Sequence, residues 1–223
     1  MYLSFLHLNP SSAMVQKDVR DVGAMHSRVM QAFPDVLDPT SKARSHFGVL
    51  YRLEYSRAAG WVLYVQSRTK PTWAFLPQDY LVVNDSMPAS AVKSVAGAYS
   101  SLNEGQLVRF RLRANVTKKV DTKSSPDGQR RNGRRVPLYR EEDQIAWLVR
   151  MATHHGFKPR QVVIAAAGAS ERVRSYLGNK TLQGVLFEGI LEIRDPVLFR
   201  AALKSGIGPG KAYGFGLLSI APV

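Results

Sequence analysis

The segment GQLVRFRLRAN, residues 105–115, alternates in character along its length. In a strand, period 2 sends Arg109, Arg111 and Arg113 to one face and Val108, Phe110 and Leu112 to the other. A strand with one apolar face needs a cover on that side, and the residues downstream supply it. Residues 140–155 read as a helix, opened by Glu141, Glu142 and Asp143, whose charge suits the positive end of a helix dipole, and closed by Gly156. QVVIAAA (161–167) reads as a strand and LQGVLFEGILEIRD (182–195) as a hairpin of strands. Asp195 and Pro196 form the N-cap and first turn of a last helix that Gly206 stops, and AYGFGLLSIA (212–221) reads as the final strand. The order β-α-β-β-α-β is the ferredoxin-like motif that RNA-recognition domains share.

The preceding hundred residues repeat this order less completely. Residues 2–8 read as a strand, NPSS as a turn, and DVGAMHSRVMQAF (21–33) as a helix in which Val22, Met25, Val29 and Phe33 recur at helical spacing. Asp21 suits the N-cap and Pro34 ends the helix. HFGVLYRLEY (46–55) and WVLYVQS (61–67) read as a strand hairpin, while Pro71 to Leu102 yields only a weak helix and a strand or two. The expected fold is α+β, with two tandem ferredoxin-like (RRM-like) domains over residues 1–100 and 104–223.

Composition narrows the function classes. With 223 residues and 45% hydrophobic content the chain can bury a core, and it has no apolar run of about 18 residues to span a bilayer. Its first residues lack a basic leader with a cleavage site, so the expected location is cytoplasmic, with no membrane partner. The absence of cysteine excludes disulfides, thiolate nucleophiles and cysteine-based zinc sites. Lys and Arg number 31 against 17 acidic residues, a formal charge of +14. That balance calls for a polyanion, and nucleic acid fits better than a membrane surface because no strongly amphipathic basic helix is present.

Motifs for catalysis are sparse. GIGPGKAYGFGLLS (206–219) carries five glycines and a lysine, but a P-loop would need Gly at Ser205 and Ser or Thr at Ala212. The dinucleotide fingerprint fails as well, because this segment precedes a strand. A helix C-cap with a tight helix-to-strand turn accounts for the glycines; backbone approach to a phosphate is the functional reading. His154 and His155 project about 100° apart on their helix, poor geometry for one metal, and the Glu141–Asp143 run suits a helix N-terminus. No metal site is expected. His7 and His46, placed in or at the start of strands, read as hydrogen-bonded structural histidines. His26 sits one residue outside the apolar stripe of its helix, where its ring can reach solvent and transfer a proton.

The cations carry more information. Residues 117–140 hold Lys118, Lys119, Lys123, Arg130, Arg131, Arg134, Arg135 and Arg140 among Ser, Pro and Gly, which reads as a basic loop. Arg172, Arg174 and Lys180 bracket YLGN at a hairpin tip. With the Arg109/Arg111/Arg113 face, they form a candidate phosphate-tracking surface.

MYLSFLHLNP, the AMH of the first helix, RFRLRAN, RVPL, IAWL, GVLFEGILEI and GIGPGKAYGFGLLSIAP follow one another in this order along the chain. Together they resemble the CasE-type endoribonucleases of the type I-E CRISPR system. The resemblance implies two ferredoxin-like domains facing each other across a basic cleft, and cleavage of CRISPR precursor RNA at the base of each repeat hairpin. It implies attack by the RNA's own 2′-hydroxyl, without metal or cofactor, leaving 2′,3′-cyclic phosphate and 5′-hydroxyl ends. His26 would be the general acid or base; Gly208, Gly210 and Lys211 would approach the RNA backbone, and the 170–180 hairpin tip would grip the stem. The product would be retained for the other Cascade subunits. Two positions depart from the family pattern: Gly23 stands where a tyrosine is usual, and Val116 where a proline follows RFRLRAN. A hairpin-binding protein without catalysis is the alternative that Gly23 keeps open.

Overall fold

The computed structural model describes residues 1–35, 43–83, 88–120, 134–165, 171–175 and 178–223, with the side chains of 171–181 outside the description. Within that range the chain forms two antiparallel sheets, each covered on one side.

The first sheet has the order β2-β3-β1-β4, from β1 (Tyr2–Leu8), β2 (Leu50–Ser56), β3 (Gly60–Ser67) and β4 (Ser90–Ser94). This is the ferredoxin-like arrangement, with the first strand inside the sheet. After β1 come two helices: α1 (Ala13–Arg20), which the sequence reading passed over, and α2 (Val22–Met30). Asp21 separates them, and its side chain accepts from the Gly23 N–H at 2.8 Å as the expected N-cap. A short helix, α3 (Ala43–His46), follows, so His46 ends a helix and the strand begins at Leu50. Leu6, Leu8, Met25, Val29, Val49, Leu63 and Val65 meet in the core between helices and sheet.

Between β3 and β4 the motif would place a second helix, and among the described residues there is none. Pro71, Pro77 and Pro88 fall in this stretch, each lacking the N–H that a helix needs. The segment instead lies along β1: Asn9 N–H bonds Tyr80 O at 3.0 Å, Val82 N–H bonds His7 O at 2.9 Å, and His7 N–H bonds Ala89 O at 2.9 Å. Tyr80 is fully buried and donates to Asp18, which also pairs with Arg28. His7 is buried in β1, but its Nδ1 has no hydrogen-bond partner among the described residues, contrary to the expectation of a bonded histidine.

The second sheet has the order β11-β5-β10-β8. Its central strand β5 (Leu107–Asn115) shows the expected alternation, with Val108, Phe110, Leu112 and Ala114 buried under α5 (Glu141–His154) and α6 (Pro196–Ser205). Asp195 caps α6 by accepting from the N–H groups of Val197 and Leu198. A two-stranded ribbon, β6 (Thr117–Val120) with β7 (Arg134–Pro137), projects between β5 and α5. Lys123, Arg130 and Arg131 of the predicted basic loop lie outside the described residues. Val95, Tyr99 and Leu102, in and around the short helix α4 (Ala96–Ser100), join this second core.

Two expectations for this half are corrected. LQGVLFEGILEIRD is no hairpin: a single 16-residue strand, β10 (Gly178–Ile193), runs through it, pairing in turn with β9 (Glu171–Ser175), β5 and β8 (Phe157–Ile164). Gly189 imitates a turn residue, but it marks a close approach, since a Cβ there would lie 1.9 Å from the Gln161 carbonyl oxygen. The final strand β11 is also shorter, Leu218–Pro222, because Lys211–Tyr213 form a 3₁₀ turn and Gly214 and Gly216 take positive φ.

The two sheets are joined through buried polar contacts. Arg52 of β2, 3% exposed, donates to the carbonyls of Leu217 and Arg111 and to Ser219 Oγ in the second half. Gln66 of β3 donates to Leu203 O and accepts from Tyr99 Oη, both at 2.6 Å.

Candidate nucleic-acid interface

Met25 and Val29 turn the apolar face of α2 into the core and leave His26 half-buried at its edge. The imidazole opens onto a cleft of ≈ 610 Å³, formed by His26 and Met30 of α2, Arg44 and Ser45 of α3, and the turn from Gly208 to Tyr213. The Arg44 guanidinium is held by two donations, to Val49 O at 3.1 Å and to Ser45 Oγ at 3.0 Å. Burial first, and the Arg44 charge second, hold the His26 imidazole below the usual histidine range. Lys211 is lowered by the same two causes in the same order, and Arg44 by burial. No carboxylate pairs with any of the three among the described residues, and His26 Nδ1 is buried without a partner. Three half-buried nitrogen bases, two of them with their charge disfavoured by the third, make a site suited to an anion.

The glycine segment forms the wall opposite α2. Gly206 ends α6 at φ 75°, and Ile207 N–H bonds Gly216 O at 2.9 Å, closing the turn over the buried side chains of Ile207 and Phe215. Gly208 has φ +80°, and a Cβ there would lie 3.1 Å from the Trp147 ring; Gly210, at φ +84°, would press on Phe215. Trp147 thus braces the turn from the second half, while Tyr51, fully buried in the first, donates from its Oη to Ala212 O at 3.0 Å. The turn is both the helix-to-strand connection read from the glycines and a half-buried strip of backbone between two clefts. Tyr213 lies on it, facing the His26 cleft and the larger cleft between the sheets. Sequence reasoning missed Arg44 and Tyr213: ARSH carries no motif, and AYGFG reads as strand.

The three arginines of β5 diverge. Arg109 is exposed and donates to Pro222 O at 2.8 Å. Arg111 pairs with Glu54 across the joint and with Glu188 on β10, so two carboxylates already balance its charge. Arg113 lies over the Phe215 ring at 5.1 Å. Arg111 and Arg113 border a cleft of ≈ 680 Å³ between the sheets, which mixes them and Arg20 and Arg52 with Asp18, Glu54 and Glu188. The more uniformly basic surfaces are the His26 cleft and a groove at the ribbon, where Lys118 and Lys119 lie exposed. The side chains of Arg172, Arg174 and Lys180 lie outside the described residues; their backbone forms the β9–β10 hairpin, which packs beside α2. Among the described residues no three His, Asp or Glu side chains gather as a metal-ligand set.

The family described as CRISPR associated protein matches residues 1–222. Along the full length of both chains the sequence is 33% identical to the CRISPR-associated endoribonuclease Cse3 of Thermus thermophilus. The chain belongs to the Cse3/CasE family of CRISPR-associated proteins. A second member, the CRISPR system Cascade subunit CasE of Escherichia coli, is 32% identical over 74% of this chain and 83% of its own. The structure of Thermus thermophilus Cse3 bound to an RNA representing a pre-cleavage complex superposes with a TM-score of 0.77 at 33% identity, covering 99% of this chain and 98% of the other. Family membership accounts for the pair of sheets.

Proposed function

We infer that this chain is the CRISPR precursor-RNA endoribonuclease of its system, cutting at the base of the repeat hairpin in the cleft between α2 and the glycine turn. The observation that carries the reading is the juxtaposition of a half-buried imidazole, its Nδ1 without a partner among the described residues, with two cations that pair with no carboxylate among them. In this reading the neutral His26 ring takes the proton of the RNA 2′-hydroxyl. The 2′-oxygen bonds to the adjacent phosphorus, the P–O5′ bond breaks, and the proton passes to the departing 5′-oxygen. No water is consumed, and the products are a 2′,3′-cyclic phosphate and a 5′-hydroxyl. Arg44 and Lys211 face the same cleft and stabilise the extra charge on the phosphorane, the contribution that preorganised cations make best in a partly desolvated site. With Gly23 on α2 offering no hydroxyl, Tyr213 is the phenol nearest to hand on the cleft wall. The β9–β10 hairpin grips the stem, and the bound product passes to Cascade in the cytoplasm.

The deciding experiment uses the cognate repeat hairpin in EDTA, intact or with a 2′-deoxy nucleotide immediately 5′ of the scissile phosphate. The intact RNA is expected to be cut and the deoxy RNA to be bound uncut. Cleavage of the deoxy RNA, or activity lost in EDTA and restored by a divalent ion, defeats the mechanism. Binding without cleavage of either RNA assigns a non-catalytic hairpin binder.

A further inference from the structure

The glycine turn has two sides, and the site above uses one. Beyond Gly208 and Pro209, which border both, lies a groove of ≈ 490 Å³ whose cations come from separate elements: Lys118 and Lys119 of β6, Arg135 of β7 and Arg150 of α5. All four are exposed, and among the described residues no acidic residue lines the groove and none of the four pairs with a carboxylate. Arg135 is steadied by a donation to Thr117 Oγ1 at 3.3 Å. A two-residue strip, Gly208 and Pro209, lines both this groove and the His26 cleft, and Trp147 packs against the glycine. β9 packs beside α2, the helix that faces the turn across the His26 cleft.

We propose that this groove is the binding site for the single-stranded RNA that continues past the scissile phosphate, away from the stem. The order hairpin, cleft, strip, groove then follows one RNA strand across the protein. A groove of this size, walled by cations with its one indole buried beneath the strip, tracks a phosphate backbone without stacking bases. A groove of ≈ 490 Å³ has room for a short piece of one strand and not for a duplex. The site therefore reads charge and strandedness, and it sets how far past the hairpin the enzyme senses its substrate. This rests on the proposed cleavage site, yet it concerns affinity alone, so the two can fail separately.

The test compares wild type, Arg150→Glu and Lys118→Ala/Lys119→Ala/Arg150→Ala on four RNAs: the repeat hairpin with both flanks, without the 5′ flank, without the 3′ flank, and as a blunt stem. Binding is measured over a salt series, with thermal melts confirming that the variants are folded. On the fully flanked RNA the triple variant should bind about tenfold or more weakly, with a log–log salt slope shallower by about 2, roughly 0.7 per single-strand phosphate contact. Removing one particular flank should erase that difference, and the blunt stem should not distinguish the proteins. Equal weakening on the blunt stem would make the groove a stem site, and unchanged affinity on every RNA would make it solvated surface; both overturn the proposal. If wild type fails to cut while the flank dependence persists, the catalytic reading falls and the groove stands.

Discussion

His26 owes its chemistry to what surrounds it rather than to its place on a helix. Burial and the Arg44 charge lower its pKa, so the ring is neutral at pH 7 and able to accept a proton. Between the unfolded value near 6.5 and the lower folded value, the unfolded chain binds more protons, so His26 contributes stability that is lost as pH falls through this window. Titration of the free protein by NMR should place the His26 ring below 6.5, and Arg44→Gln should move it upward, since the second of its two causes is gone. An unmoved titration would separate Arg44 from the imidazole. His26→Ala should slow single-turnover cleavage by about 10² to 10⁴, the usual contribution of one proton-transfer group, and leave hairpin affinity within a few-fold. Gly208 is the residue whose backbone the cleft depends on: at φ +80° with Trp147 beneath it, Gly208→Ala should lower stability by about 1 to 3 kcal/mol, visible as a lower denaturant midpoint.

The β9–β10 hairpin is an extension of β10 beyond the partners that hold its second half. From Gly184 to Ile193 that strand has neighbours in β5 and β8, whereas from Gly178 to Gly184 it pairs with β9. Such an arm can reach a stem without disturbing the core, and reversing the charges of Arg172 and Arg174 should weaken stem binding and reduce the salt slope by about 0.7 to 0.9 per lost phosphate contact. Filter binding on the blunt stem measures this directly, and an unchanged slope removes the arm from the interface. β5 behaves differently, because its polar face looks inward to the joint. Glu54 there neutralises Arg111 and the buried Arg52 together. Glu54→Ala should cost about 3 kcal/mol or more in unfolding free energy, since it strands a guanidinium that is 3% exposed.

The two halves act as one body because their contacts are buried and polar. Arg52, Gln66 and Tyr99 bond across the joint, and Tyr51 reaches from the first half to the glycine turn of the second. The His26 cleft exists only when both halves are in place: α2 and α3 supply the bases, and the turn after α6 supplies the opposite wall. Arg52→Ala should therefore lower cleavage at distance, by loosening the wall, and broaden or split the thermal transition, which in the wild type should be a single step. Calorimetry would reveal the split, and a variant with one sharp transition and full activity would contradict this account of the joint.

Local patterns were enough for much of this. Period 2 in RFRLRAN, the Asp21 and Asp195 caps, the glycine stop after Ser205 and the excess of cations are properties of neighbours along the chain, and each survives folding. The family resemblance rested on the same short motifs. Tertiary structure decided what lies opposite what. Whether Gly189 turns the chain or admits a neighbouring strand depends on Gln161, 28 positions away, and whether Arg111 meets phosphate or carboxylate depends on Glu54 in the other sheet. Arg44 and Tyr213 carry no local signal and come to His26 only when the sheets close, because the Coulomb and packing terms that define a cleft act through space and not along the sequence.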